Sequence, residues 1–366
     1  MSRRKDPVAR ARAALLEFYD AHARDLPWRR TRDPYAIWVS EIMLQQTRVD
    51  TVVRYYDRFL ARFPTAHALA SASEDDVLAA WSGLGYYRRA RLLHTGVREV
   101  VARYGGQVPQ DAEARRELPG IGRYTAGAIG SIAFDLPEPI VDGNVARVLS
   151  RVHAIDTPLG RADTEARLWE EAEKLSQGPR PGALNQALME LGATLCSKSA
   201  PRCNECPLRD ACKAHAEGRA DELPIARKKT PAKPVALVAL LVVDARGHRV
   251  GLLRGEGELF GGLWNLPMRE GRGVADARAL LDELQVTARV AEKPIGRIEH
   301  VLSHRNLRIQ LFRALLGAGR AERSGKLRMT ERAALHELGI SSLTRKALSQ
   351  LEPGPAAAAV APRPRT

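Results

Sequence analysis

Apolar residues recur at three- and four-residue spacing through most of the first 220 positions. The runs at 8–19, 41–59, 74–84 and 88–104 each carry one apolar stripe, and the pattern continues at 123–134, 145–153, 164–175 and 183–195. That period predicts helices with one buried face. A short polar helix is expected at 112–117. Breakers separate the segments: Phe63-Pro64, Gly105-Gly106, Pro119-Gly120 and Gly178-Pro179. The segment 223–234 is basic and proline-bearing and reads as an interdomain linker. Beyond it the pattern becomes strand-like. A continuous apolar run at 235–243 predicts a buried strand, followed by a turn and a second strand at 249–254. A helix is expected at 276–284 and further strands at about 286–301 and 305–315. The alanine- and proline-rich tail, 351–366, reads as disordered. The organisation is therefore a helical domain over 1–222, a linker, a smaller α+β domain over 235–350 and the tail.

The 366 residues, 45% of them hydrophobic, are enough for two cores. A formal net charge of +14 favours a polyanionic partner, because neutralising phosphates releases counterions. The longest apolar run is far short of the roughly 20 residues that cross a bilayer. No membrane association is expected, and the chain is expected in the cytosol, with the nucleoid if it binds DNA. A reducing compartment argues against disulfides, so the cysteines need another explanation.

Cys196, Cys203, Cys206 and Cys212 are the only cysteines, spaced C-x6-C-x2-C-x5-C. Thiolates so clustered suit zinc or an iron–sulfur cluster, and spacing alone does not choose between them. Four protein ligands leave no open position for catalysis. Lys198, Arg202, Arg209 and Lys213 add positive charge around the loop.

The segment 118–122 (LPGIG) stands between two helical patterns. Gly120 and Gly122 allow a tight turn and close approach of another backbone, and the N–H groups opening the next helix suit a phosphate. Further on, 141–145 (VDGNV) precedes a helix, so Asp142 or Asn144 could simply cap it. Glu41 lies in 39–47 (VSEIMLQQT), where Ser40 could cap a helix and leave Glu41 in its first turn. The uncharged Gln45-Gln46 pair beside an apolar helix end can enter a base stack more cheaply than charges would.

These segments, with 25–29 (DLPWR), 83–87 (GLGYY) and 184–192 (LNQALMELG), resemble in order the helix-hairpin-helix DNA glycosylases, specifically the MutY-type adenine DNA glycosylase family. The resemblance is dense over about 8–220 and looser over 235–350. It implies a mainly α helix-hairpin-helix core of two helical lobes with a [4Fe–4S] loop, plus a smaller α+β Nudix-like C-terminal domain. It also implies removal of adenine mispaired with 8-oxoguanine or guanine in double-stranded DNA, by a monomer whose DNA runs between the lobes. By resemblance the four cysteines hold [4Fe–4S]. The hairpin, Gly120 and Gly122, grips a phosphate and holds a monovalent cation through carbonyls.

The same resemblance gives roles to single residues. Glu41 protonates adenine and then helps activate water; Asp142 stabilises the positive sugar, electrostatically or through a transient covalent bond. This parallels the two carboxylates of glycoside hydrolysis. Tyr124 and Asn144 line the sugar and acid side. Leu26, Trp28 and Arg29 match the adenine pocket, while Gln46 and Tyr86 match the wedge that holds the stack open. Endonuclease III-type relatives carry a Schiff-base lysine where this chain has Tyr124, so a monofunctional glycosylase is expected. Two further departures are Ala146, where some relatives have lysine, and Gln186, where some have glutamate.

In the second domain, 261–267 (GGLWNLP) matches the Nudix-like domain of the family, but the helix over 276–285 lacks the run of glutamates that binds metal in Nudix hydrolases. Nucleoside triphosphate hydrolysis is not expected. Ser303 and His304 match the loop that reads 8-oxoguanine, with Leu302 in place of a common aromatic; an ordinary hairpin turn is the plainer reading. Against the alternatives, Tyr124 disfavours a bifunctional pyrimidine-lesion glycosylase, and the presence of both Glu41 and Asp142 disfavours a purely DNA-binding protein.

Overall fold

The computed structural model describes residues 6–227, 231–256, 260–302, 304–317 and 327–350. Ser303 and the expected disordered tail lie outside them. The chain divides into two compact units, one of Met1–Ala72 with Arg89–Lys229 and one of Ser73–Arg88 with Thr230–Thr366. The second is discontinuous: a segment embedded in the helical sequence packs with the sheet.

Along the chain the helices are α1 (Pro7–His22), α2 (Pro34–Leu44), α3 (Val49–Arg62), α4 (Ala66–Ser71), α5 (Glu74–Ala80), α6 (Arg88–Tyr104), α7 (Ala112–Glu117), α8 (Arg123–Phe134), α9 (Gly143–Val152), α10 (Ala162–Ser176), α11 (Pro181–Thr194) and α12 (Lys213–Ala216). Helix α2 is the buried centre of the helical unit, with every residue from Tyr35 to Met43 inside. Its start is set by Asp33, whose carboxylate accepts the Tyr35 N–H, and by Pro34 in the first turn. Helix α8 packs against it and α11 packs against α8; both are also apolar on most sides.

Two expectations are corrected here. The apolar run 41–59 is not one helix; it breaks between Leu44 and Val49, where Gln46 turns left-handed at φ 58. The buried guanidinium of Arg89 donates to the carbonyls of Ile42 (2.8 Å), Met43 (3.0 Å) and Gln45. It thereby satisfies the carbonyls that end α2. Ser40 is no cap either; it lies within α2 and donates to Ile37 O, which leaves Glu41 near the end of the helix.

The sheet unit is built on β1 (Lys233–Val243), which runs parallel to β7 (Arg305–Leu316) in register from Lys233↔Arg305 to Val243↔Leu315. Antiparallel partners are β2 (Arg249–Arg254) and β4 (Met268–Glu270) on β1, and β5 (Ala288–Val290) and β6 (Gly296–Val301) on β7. Beyond them, β3 (Trp264–Asn265) and β8 (Arg328–Glu331) pair with β2. Period-two alternation explains why β1 reads as continuously apolar: it is buried on both faces. Leu237, Ala239 and Leu241 meet Leu307, Ile309 and Leu343, the last on α14 (Ser342–Leu348). Val238, Leu240 and Val242 meet Phe312 and the Ala277, Leu280 and Leu281 face of α13 (Val274–Glu283).

The expected linker is partly ordered. Leu223 is buried, its carbonyl accepts from Arg151 Nε at 2.9 Å, and Ile225 O accepts from Leu159 N. No helix among the described residues is long and apolar enough to cross a membrane.

Candidate active site

Glu41 sits on the buried helix α2 and is only 4% exposed. Tyr124, in the first turn of α8, donates its hydroxyl to Glu41 Oε2 at 2.7 Å and also contacts Met189 Sδ at 3.5 Å. Burial pushes the Glu41 carboxyl up; the Tyr124 hydroxyl pulls it down and the Asp142 charge pushes it up, leaving it at about 7 against its usual 4.5. Burial, then the charges of Glu41 and Asp142, push Tyr124 well above its usual value, so its hydroxyl stays a donor. The pair is thus a carboxyl that holds a proton near neutral pH and a neutral group that orients it.

Asp142 is the cap of α9, as the plainer reading allowed, and it is half-buried. Its Oδ1 accepts from Asn144 N (3.0 Å) and Val145 N (2.7 Å), and Oδ2 from Asn144 Nδ2 (3.2 Å). Burial raises its pKa, opposed by those N–H donors and by the charge of Arg147. Arg147 in turn donates to Asn144 Oδ1 (2.8 Å), Gly192 O (2.6 Å) and Cys196 O (2.8 Å). Helix α11 can come this close because position 192 has no side chain: a Cβ there would stand 2.7 Å from Asn144 Cβ.

Arg29 donates to Glu190 at 2.7 Å, and Arg24 binds the same carboxylate through two bonds of 2.6 and 3.0 Å. Burial pushes Glu190 up, yet the Arg24 and Arg29 hydrogen bonds hold it below its usual value. Arg29 and Gln186 line a cavity of about 350 Å³ with Tyr19, Ile132, Asp135 and Arg180. Leu26 and Trp28, each 7% exposed, face the interior; Trp28 meets Tyr56 edge to face at 5.6 Å.

The hairpin joins α7 to α8. Gly120 has φ 82, and an added Cβ would stand 2.8 Å from Leu92 Cβ, so this position needs glycine twice over. Gly122 opens α8 without a capping side chain, which leaves the helix start open to an anion. Gln46 is exposed and left-handed. Tyr86 is 51% exposed, also left-handed at φ 47, and belongs to the sheet unit. His304 is exposed at the turn between β6 and β7, its carbonyl accepting from Lys233 N at 3.0 Å; Ser303 is not among the described residues.

The four cysteines line one cavity together with Val148, Arg151, Leu191 and Leu208. Burial pushes the Cys206 thiol up to about 11 and raises Cys203 and Cys212. Thiols so placed ionise only against a strong positive charge, which a metal centre supplies. Arg151, itself buried, donates to Cys196 Sγ (3.2 Å) and Ser197 O (2.7 Å). Among the described residues no three cysteine, histidine or acidic side chains close around a single ion.

Comparison with known proteins agrees with this geometry. A model of the HhH-GPD superfamily of base excision DNA repair proteins matches residues 39–174, and a NUDIX domain model matches 238–350. The adenine DNA glycosylase of Rattus norvegicus is 41% identical over 362 residues, covering 83% of this chain and 70% of that protein. The chain belongs to the adenine DNA glycosylase family. The Homo sapiens adenine DNA glycosylase is 48% identical over 225 residues, covering 59% of this chain but 41% of that protein. A solved thermostable thymine-DNA glycosylase is 30% identical with a TM-score of 0.52, covering 58% of this chain and all of that one. As an adenine DNA glycosylase, the chain is a base excision repair enzyme that hydrolyses N-glycosyl bonds.

Several supporting residues of this glycosylase were not singled out from sequence. Glu190, an acid inside the apolar run 184–192, carried a usable signal, because an acid on a buried helix face needs a cation. Arg24, Arg89, Arg147 and Arg151 carried none: most of their partners are backbone carbonyls or residues far along the chain.

Proposed function

We propose that this glycosylase removes adenine opposite 8-oxoguanine or guanine in duplex DNA, by acid-assisted hydrolysis and without a Schiff-base intermediate. The observation that carries the reading is the buried Glu41 carboxyl, hydrogen-bonded to Tyr124, with its pKa raised to about 7. Adenine leaves poorly as an anion, so a proton must reach it as the bond to the sugar breaks. Glu41 delivers that proton and, once ionised, accepts one from the attacking water. Asp142, oriented by Asn144 and the start of α9, offers negative charge to the sugar cation. No amine stands at position 124, which supports monofunctional chemistry.

Cys196, Cys203, Cys206 and Cys212 would hold a [4Fe–4S] cluster, which when bound cross-links the loop through four thiolates. The backbone at 118–122 would grip a phosphate, with its carbonyls available to a monovalent cation. His304 and Ser303 would meet the lesion base, with Gln46 and Tyr86 entering the stack. A monomer acting on cytosolic, nucleoid-associated DNA is consistent with the net charge of +14.

The reading is tested with duplexes holding 8-oxoguanine:A, G:A, T:A or a damaged pyrimidine, each incubated with and without borohydride. Adenine release from the first two alone, with no trapped adduct forming at the rate of turnover, is expected. Cleavage at damaged pyrimidines, or trapping as fast as base release, would refute it.

A further inference from the structure

The loop that carries Tyr86 is part of the sheet unit, although it interrupts the helical sequence. Gly83 (φ 107), Gly85 (φ 71) and Tyr86 (φ 47) are all left-handed, a conformation tyrosine keeps only where its surroundings hold it. Tyr86 points out and Tyr87 points in. The buried Tyr87 hydroxyl accepts from Gly83 N at 3.4 Å and donates to Ile340 O at 3.2 Å, so one group both closes the loop and fastens it. Beside it, Leu78 of α5 packs on Gly339, where an added Cβ would stand 2.5 Å from Leu78 Cβ. Arg345 of α14 donates to Ser82 Oγ. Arg254 also pairs with Glu74 (3.0 Å) and Asp75 (2.6 Å), but part-exposed pairs of this kind contribute little.

The fastening points continue into the sheet. Gly339 O accepts from Trp264 N at 2.9 Å, and Ile340 bridges Trp264 of β3. Trp264 follows a turn in which Leu263 N donates to Phe260 O at 3.1 Å. The Phe260 ring lies 6.1 Å from the His300 ring on β6, two residues before Leu302. Every link from His300 to Tyr86 lies on one unit.

We propose that the Gly339–Ile340 segment is a mount that holds the Tyr86 wedge at a fixed distance from the lesion-reading hairpin, with Tyr87, Ser82 and Arg345 as positioning residues. The wedge then enters DNA productively only when the hairpin has found its base, so both act as one recognition element. This rests on the assignment of Tyr86 as wedge and His304 as reader given above. A spatially continuous route is not by itself coupling, so the test must measure non-additivity.

The test is a double-mutant cycle of Tyr87→Phe with His304→Ala, in the full chain, by single-turnover adenine release from 8-oxoguanine:A and G:A duplexes. Arg345→Ala serves as a second, surface variant should Tyr87→Phe fold poorly. Fluorescence of 2-aminopurine beside the lesion base reports unstacking. Loss of the Tyr87 hydroxyl should slow 8-oxoguanine:A by about three- to tenfold, leave G:A unchanged and weaken the unstacking signal. In the His304→Ala background it should have no further effect. Equal slowing of both substrates, or full additivity with His304→Ala, would overturn the mount while leaving wedge and reader intact. An unchanged preference in His304→Ala alone, or unchanged unstacking in Tyr86→Ala, would overturn the underlying assignment and the mount with it.

Discussion

Replacing Tyr124 by phenylalanine should move the alkaline limb of adenine release upward in pH. With its carboxyl at about 7, Glu41 is about half protonated at neutral pH. At its usual 4.5 it would be protonated in about 0.3% of molecules, so burial enlarges the pool of acid roughly 150-fold. The Tyr124 hydroxyl opposes this, because its hydrogen bond favours the ionised form. A hydrogen bond to a charged group contributes about 1.5–3 kcal/mol, and about 1.4 kcal/mol moves a pKa by one unit. Tyr124→Phe should therefore shift the limb up by about one to two units. Single-turnover rates with saturating enzyme, taken from pH 5.5 to 9.5, read the shift directly. Poorer orientation of the acid lowers the plateau without moving the limb. A limb that stays in place, or moves down, would refute the claim that the Tyr124 hydrogen bond favours the ionised form of Glu41.

Glu41 should also mark the stability profile: its folded pKa exceeds the unfolded one, so stability falls as pH rises from about 4.5 to 7, by about 3 kcal/mol. Urea unfolding at pH 5 and pH 8 should show that fall in wild type and lack it in Glu41→Gln; equal pH dependence in both would contradict it. Glu190 is held below its usual pKa, so it stabilises the fold above its unfolded value, and that support is lost as pH falls through the folded value. Glu190→Ala leaves Arg24 and Arg29 without their shared partner and should cost about 3–5 kcal/mol in urea titrations at pH 7; a loss under 1 kcal/mol would contradict it. Gly192→Ala drives a methyl into Asn144 and should reduce adenine release more than duplex binding; a normal rate would show that Asn144 need not stay where it is. Cys206→Ala should lose iron and visible absorbance, and retention of four irons per chain would exclude it as a ligand.

Much of the architecture was legible because period and breakers are local. The helices at 112–117 and 123–134 and the strand at 249–254 follow directly from side-chain pattern. The break after Leu44 was not, because the group that ends α2 is Arg89, and nothing near residue 44 announces a distant guanidinium. The capture of 73–88 by the sheet was equally hidden: Leu78 and Gly339 lie far apart in sequence, and an amphipathic helix does not say which core receives it. At the site, Glu41 and Asp142 were found through motif resemblance, since each pattern alone also fits a helix end. The structure shows Asp142 as the cap, and the capping bonds that orient its carboxylate are compatible with the catalytic role proposed for it. Glu190 shows what was missed: its burial was visible in the apolar run, but its two arginines were not.

The most direct test of the central claim is single-turnover release of adenine from an 8-oxoguanine:A duplex by wild type and by Glu41→Gln, side by side at pH 7. Rapid release by wild type and none by Glu41→Gln, with duplex binding retained by both, is the predicted result. Comparable release by the two proteins would show that the proton on Glu41 is not what lets adenine leave, and the account of this site would be wrong.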